Sequence, residues 1–448
     1  MAPSPGPHPP VTSPTFVGHR PASAETAAPR KVALAASIGT FVEYFDLVAF
    51  GALATVLSRV FFPSSDETAA LLNTFAVFAL AFVARPLGGL LWGPIGDRIG
   101  RKRTLATIII VMTVATALTG LLPSHATAGI WAPTMLIGLR FIQGISAGGE
   151  LPGAAIFIGE YSGDRRRAYE TSFLSVALTT AQLSAVLLAT VLMTTLSDAA
   201  MQSWGWRVPF LLALPIGAIG LYIRTRLEET PVFEQIEQQG AKSRAPLKVL
   251  LGDAAGWKMI GRATLFNLPV QVPGFMLLTF MPSYLTRSAG FTTGASLLCI
   301  TIAVVVLLAV VPLAGRLSDR YGRRPMLFTV GAVTLAGALP AFTLIQAGGY
   351  VLPTLGLVCI GVIHGLGIGT QLAPVLESFP TPIRYTGFAL SLGLIVALIG
   401  GNTPYIAQWL ISTTGNLYSP AFYMMAIVVP SVIGAFFVRE TNGKPLPK

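Results

Sequence analysis

Charge is scarce in this chain. Only 11% of its 448 residues are Asp, Glu, Lys or Arg, against about a quarter in an ordinary soluble domain. Cysteine is scarcer still. Cys299 and Cys359 both lie in apolar runs without CxxC spacing, which argues against a disulfide framework or a thiolate metal site. No phosphate-binding glycine loop, nucleophile–base set or metal-spaced cluster is present, so neither an enzyme nor a cofactor or metal requirement is expected. Residues 1–31 hold eight prolines and no apolar core of a signal peptide. They read as a disordered tail, and targeting falls to the first apolar run.

Hydrophobic length is abundant. Apolar residues make up 53% of the chain and mean hydropathy is +0.69. Twelve stretches reach the roughly 20 residues that a bilayer requires: 32–57, 69–92, 104–122, 130–158, 171–196 and 206–223, then 263–285, 296–314, 326–347, 350–376, 387–412 and 418–438. They are too long for spanning strands, which need about ten alternating residues. The expected fold is an all-α polytopic membrane protein with twelve transmembrane helices in two six-helix bundles. The expected boundaries are a tail at 1–31, bundles at 32–223 and 259–438, a linker at 224–258 and a second tail at 439–448.

The net charge of +11 would point to nucleic acid in a soluble protein. Here it follows the positive-inside rule, and no nucleic-acid partner is expected. With the N-terminus placed in the cytoplasm, 25 of the 30 Lys and Arg fall in cytoplasmic segments and three in external loops. Only Arg85 and Arg140 remain within spans. Both termini are therefore expected in the cytoplasm of a cell's plasma membrane.

One basic turn is repeated. Gly93, Asp97, Arg98, Gly100 and Arg101 return as Gly315, Asp319, Arg320, Gly322 and Arg323, each 222 residues later. Glu160 precedes Arg167 by seven residues, as Glu377 precedes Arg384. The fourth and tenth runs share close glycines, Gly144, Gly148 and Gly149 against Gly365, Gly367 and Gly369. Parallel six-helix repeats with a cavity between them are the design of a rocking transporter.

These residues carry a resemblance. The repeated turn resembles the cytoplasmic loop signature of the major facilitator superfamily. Arg140-Phe-Ile-Gln-Gly144 through Glu150 resembles the fourth-helix signature of its metabolite:proton symporter branch. Ala84-Arg85-Pro86, Glu43-Tyr-Phe-Asp46 and Leu227-Glu228-Glu229-Thr230-Pro231 fit that branch too. Gly159–Arg165 and Met276–Leu285 are most similar to the proline/glycine-betaine:proton symporters. Unlike osmoregulated members, the sequence carries no long coiled-coil tail before Lys448. The resemblance implies proton-coupled uptake by alternating access. It also implies that the two turns latch the outward-open state, with Asp97 and Asp319 each accepting at a helix N-terminus of the opposite half. The expected gating set is Gly93, Asp97, Arg98, Gly100, Arg101, Asp319, Arg320, Gly322, Arg323, Glu160, Glu377 and Arg384.

An intramembrane charge costs at least a few kcal/mol and faces a cavity or a partner. Glu43 lies about 16 Å into the first run and Asp46 shares its face, while Arg140 lies about 15 Å into the fourth. Shared depth makes Glu43 or Asp46 the expected proton site and Arg140 the group that tunes it or holds a substrate carboxylate. The rival reading is a static ion pair. Arg85 and Glu150 form a second expected pair, as a substrate contact or a structural bridge. His364 and Gln371 are expected cavity or packing groups. Tyr44, Phe45, Trp92 and Tyr284 offer faces to a quaternary ammonium. Pro152, Pro273 and Pro282 are expected to interrupt their helices.

The partners expected are a small polar solute, protons and the lipid bilayer, with the protein a monomer. A zwitterion such as proline or glycine betaine leads. A di- or tricarboxylate or other organic acid (2-oxoglutarate, citrate, shikimate) is the alternative. A proton/drug antiporter ranks lower, because 171–196 lacks the glycine and proline of antiporter fifth helices.

Overall fold

The computed structural model describes residues 29–226, 228–238 and 245–447. The expected disordered tail falls outside these residues except at its last three positions. No strand occurs among the described residues. Twelve long helices follow one another: α1 (Pro29–Ala52), α2 (Glu67–Ile99), α3 (Arg101–Leu121), α4 (Trp131–Tyr161), α5 (Arg167–Thr195) and α6 (Val208–Thr225). After a connection holding two short helices come α7 (Ala254–Phe275), α8 (Thr293–Tyr321), α9 (Arg323–Gln346), α10 (Val351–Leu376), α11 (Arg384–Ile395) and α12 (Ser419–Ala435). Among the described residues, ten helices are long and apolar enough to cross a membrane. An eleventh span forms if α1 and Ala54–Phe61 are joined across their 73° bend, and α12 is a shorter apolar helix.

Two helices carry a π-helical turn. α7 continues through Met276–Phe280 into Met281–Ser288, and α11 through Val396–Gly400 toward Thr403–Thr414. A π turn displaces the backbone register by one residue and is frequent at functional sites. Pro273 stands just before the first of these turns and Pro282 just after it, whereas Pro152 sits inside an unbroken helix.

Helices α1–α6 pack among themselves and so do α7–α12. The seam between the two bundles is made chiefly by α5 against α8 and α2 against α11. Lipid tails are as apolar as leucine, so close backbone approach, not hydrophobic burial, drives helix association here. Gly148 on α4 shows how. A Cβ there would overlap the Arg85 carbonyl oxygen of α2. Gly369 on α10 stands in the same relation to the Val311 carbonyl of α8. Gly148→Ala is expected to force α2 and α4 apart at about 1–3 kcal/mol, the usual cost of overpacking. A thermal melt in detergent should drop by several degrees. The outer surface keeps apolar side chains such as Leu87, Leu91, Val114, Val305 and Leu313 exposed, as a helix bundle in lipid requires.

Candidate functional site

Helix α1 carries a ladder of buried charges on one stripe. Its residues 36, 39, 43, 46 and 50 recur at intervals of three and four, which aligns them along one face. The Ala36 carbonyl accepts from Arg224 at 2.7 Å. Gly39 leaves space in which the Glu150 carboxylate meets Arg224, which holds both carboxylate oxygens. One turn on, Glu43 Oε1 accepts from Arg85 at 2.7 Å. Asp46 then takes both terminal nitrogens of Arg140, at 2.7 and 3.3 Å. Phe50 closes the ladder with its ring 3.9 Å from Arg140 Cζ.

All six charged groups are buried. Buried pairs of this kind contribute little net stability when intact, but losing one partner costs about 3–5 kcal/mol. Asp46 and Arg140 do meet. Arg85 and Glu150 do not: Arg85 goes to Glu43 and Glu150 to Arg224. The sequence placed Arg224 at the start of the linker. It lies instead in the last turn of α6, buried, with the Leu105 carbonyl as a further partner. Gln143 and Thr116, which hydrogen-bond at 2.8 Å beside this region, were not singled out from sequence either. Uncharged polar residues of a transmembrane helix give no signal of their own.

In the second bundle, Gln371 donates to the Asn267 side-chain oxygen. Gln371 also lines a small cavity with Phe266, Pro269 and Thr370. His364 is buried against Gly274 of α7, and its Nδ1 has no partner. Tyr284 is committed elsewhere, its hydroxyl bonded to the Leu417 carbonyl and Gln346. Trp92 packs against Gly149.

The repeated turns meet at the basic end of the molecule. Asp97 accepts from the Tyr385 and Thr386 amides at 3.1 and 3.0 Å, in the first turn of α11. Asp319 accepts from the Ala168 and Tyr169 amides at 3.0 and 2.8 Å, in the first turn of α5. Each carboxylate thus caps a helix N-terminus of the opposite bundle, where orphan N–H groups and the helix dipole favour an anion. Gly93 lies against Thr386 and its counterpart Gly315 against Ser172, which lets the backbones close up.

The two glutamates extend these contacts between the bundles. Glu160 accepts from Arg384 at 2.7 Å and from Arg101 at 3.4 Å. Glu377 accepts from Arg167 at 2.7 Å and from Arg323 at 3.1 Å. Each glutamate therefore binds one arginine of its own bundle and one of the other. Arg98 and Arg320 lie exposed beside this network.

A third repeated element went unrecognised in sequence. Glu229-Thr230, in the connection after α6, matches Glu440-Thr441 after α12. Glu229 accepts from the amides of Arg101 and Lys102 at 3.2 and 3.1 Å, and Glu440 from those of Arg323 and Arg324 at 2.9 and 3.0 Å. Thr230 donates to Glu160 and Thr441 to Glu377, both at 2.6 Å. Gly100 (φ 102°) and Gly322 (φ 110°) make this possible. Both adopt a backbone that favours glycine, and a side chain would strike Glu229 or Glu440. Burial raises the Glu229 carboxyl above its usual pKa, against partial relief from backbone donors. At Glu440 the burial is outweighed by backbone donors, and its carboxyl is held below the usual range. A two-residue signal 211 positions apart was the only trace of this element in the sequence.

Two pseudo-symmetric helical bundles, charges buried at mid-helix and a duplicated set of contacts between the bundles at one end are the design of a rocking membrane transporter. The model of the Major Facilitator Superfamily matches residues 36–402, and the chain belongs to that superfamily. The glycine betaine/proline/ectoine/pipecolic acid transporter OusA of Dickeya dadantii is 38% identical over 424 residues, covering 93% of this chain and 84% of the relative. The proline/betaine transporter of Escherichia coli K12 is 37% identical, with 93% and 85% covered. Among solved structures, the proton:xylose symporter XylE bound to 6-bromo-6-deoxy-D-glucose superposes with a TM-score of 0.76 at 19% identity, covering 93% of this chain and 97% of that one. The chain is a transporter and not an enzyme.

Proposed function

We propose that the protein takes up a zwitterionic osmolyte of the glycine betaine or proline class by proton symport. It works as a monomer in the cytoplasmic membrane with both termini and the latch in the cytoplasm, and it needs no bound cofactor. The distribution of Lys and Arg supports this orientation. The latch then closes the cytoplasmic side, and the substrate and the proton enter from outside.

The observation that carries this reading is the Glu43–Arg85 pair. It is buried at the seam, yet Glu43 Oε2 and Arg85 Nε have no partner. A carboxylate with one oxygen unengaged can take a proton without first breaking both of its contacts. A di- or tricarboxylate needs two or more cationic anchors. Of the two mid-helix arginines named as anchors, Arg140 is held by both terminal nitrogens to Asp46 and Arg85 by one to Glu43, which makes Arg85 the freer of the two. One anchor suits a zwitterion. The names of the relatives, which carry betaine, proline and ectoine, favour the same class. His364 and Gln371 offer polar contacts from the second bundle, and Tyr44 an aromatic one from the first.

The test is an uptake screen in proteoliposomes under an imposed pH gradient, with glycine betaine, proline, 2-oxoglutarate, citrate and shikimate. Accumulation of the first two that collapses with a protonophore is expected. Uptake insensitive to the protonophore would overturn symport, and uptake of the acids alone would overturn the substrate class.

A further inference from the structure

Arg85 sits in surroundings built for a cation. Its Cζ lies over the Tyr44 ring at 5.6 Å and the Phe82 ring at 5.2 Å. Both distances are within the range of cation–π attraction. Glu43 supplies the negative charge at 2.7 Å. Two aromatic rings and a carboxylate around one guanidinium form a cradle that a quaternary ammonium would also fill.

The position of the cradle is equally specific. The Arg85–Pro86 backbone faces Gly393 of α11, and Phe82 approaches Gly401 beyond the π turn of the same helix. Phe82 also meets Phe275 of α7 edge to face, with ring centroids 6.0 Å apart. Phe275 is the last residue before the other π turn. The cradle thus lies where the two bundles touch and where both π turns begin or end. It is also imperfectly satisfied, since Arg85 Nε and Glu43 Oε2 are buried without partners.

We propose that this cradle is the receptor for the substrate's ammonium group and that Arg85 occupies it as a built-in placeholder. The inference rests on the zwitterion reading above and deepens it. An arriving zwitterion presents its carboxylate to the Arg85 guanidinium and draws it off the rings. Its methylated nitrogen takes the vacated faces of Tyr44 and Phe82. A methylated nitrogen has no N–H to replace the hydrogen bond that Arg85 gave to Glu43 Oε1, and the carboxylate, left without a donor, takes up one proton from water on the open side. No covalent bond changes, and the proton is released when Arg85 returns after the substrate leaves. A cation without a carboxylate cannot dislodge Arg85, and an anion without a cation gains nothing from the rings.

The probes are tetramethylammonium, glycine betaine and 3,3-dimethylbutyrate, the isostere of betaine in which an uncharged carbon replaces the nitrogen. Calorimetry on the purified full chain should show glycine betaine binding to wild type and no tetramethylammonium binding. In Arg85→Gln the cradle is open, and tetramethylammonium should bind while sodium does not. A second arm uses Phe82→Leu, which keeps the site apolar. It should weaken glycine betaine about thirtyfold, the scale of a desolvated cation–π contact, and leave 3,3-dimethylbutyrate unchanged. Tetramethylammonium binding Arg85→Gln no better than wild type overturns the proposal. So does equal weakening of both ligands by Phe82→Leu, which also decides the matter if Arg85→Gln does not fold. Failure of wild type to take up any betaine would sink the substrate reading instead, and the two failures are distinct.

Discussion

Glu43→Gln should abolish accumulation against a gradient while exchange of labelled for unlabelled substrate continues. One pH unit across the membrane is worth about 1.4 kcal/mol, so a one-proton symporter concentrates its substrate about tenfold per unit. The variant should stop at equal concentrations on both sides. The amide resembles a permanently protonated carboxyl, and its carbonyl still accepts from Arg85. The transport cycle can therefore run without a proton to bind or release. Asp46→Asn is the comparison. Asp46 engages two nitrogens of Arg140 where Glu43 engages one of Arg85, so the loss should fall more on folding and expression. If Glu43→Gln still accumulates substrate and Asp46→Asn does not, the proton site is Asp46.

Glu377→Ala should spring the latch. The substitution leaves Arg167 and Arg323 buried without the carboxylate they share. Removing one partner from such a buried cluster costs about 3–5 kcal/mol, and that cost falls on the state in which the basic end is closed. The measurable consequence is access. Ser175 on α5 bonds the Ile368 carbonyl of α10 at 3.1 Å across the seam and is fully covered. In a background with Cys299 and Cys359 replaced by serine, Ser175→Cys should react slowly with a soluble maleimide. Adding Glu377→Ala should raise the rate at least tenfold. Glu160→Ala should act likewise through Arg384 and Arg101. An unchanged rate in both would mean that the arginine–glutamate network does not hold the closed state.

The fold was legible because a bilayer constrains a sequence so strongly. Twelve apolar runs and a one-sided charge distribution leave few architectures, and the repeat at Asp97 and Asp319 points to a duplication. The residues that join the bundles were legible for the same reason, although the in-register glutamates and arginines pair crosswise, Glu160 with Arg384 and Glu377 with Arg167. What escaped was pairing. Depth along a helix can be counted in residues, and it placed Arg140 level with Glu43 and Asp46, of which the structure pairs it with Asp46. Rotation about the helix axis and the crossing of neighbours cannot be counted that way. Arg85 and Glu150 therefore looked like a pair from their side of the membrane, when Gly39 makes room for Arg224 instead. Glu229 stood in a quoted motif, but its repeat at Glu440 escaped, because a charged residue near a membrane end resembles every other one until its backbone partners are known.

The two kinds of ion pair differ in when they can form. Every pair of the α1 ladder lies within the first bundle, with partners 42 to 94 residues apart. The Asp97 latch waits for Tyr385, 288 residues later. At about 5–20 residues per second, synthesis takes roughly 15–60 s to cover that distance. Throughout that interval the first bundle stands without its partner, and the ladder pairs its buried charges from within the same bundle. The Asp97 contacts that join the two bundles at the basic end therefore cannot form until the start of α11 has been made.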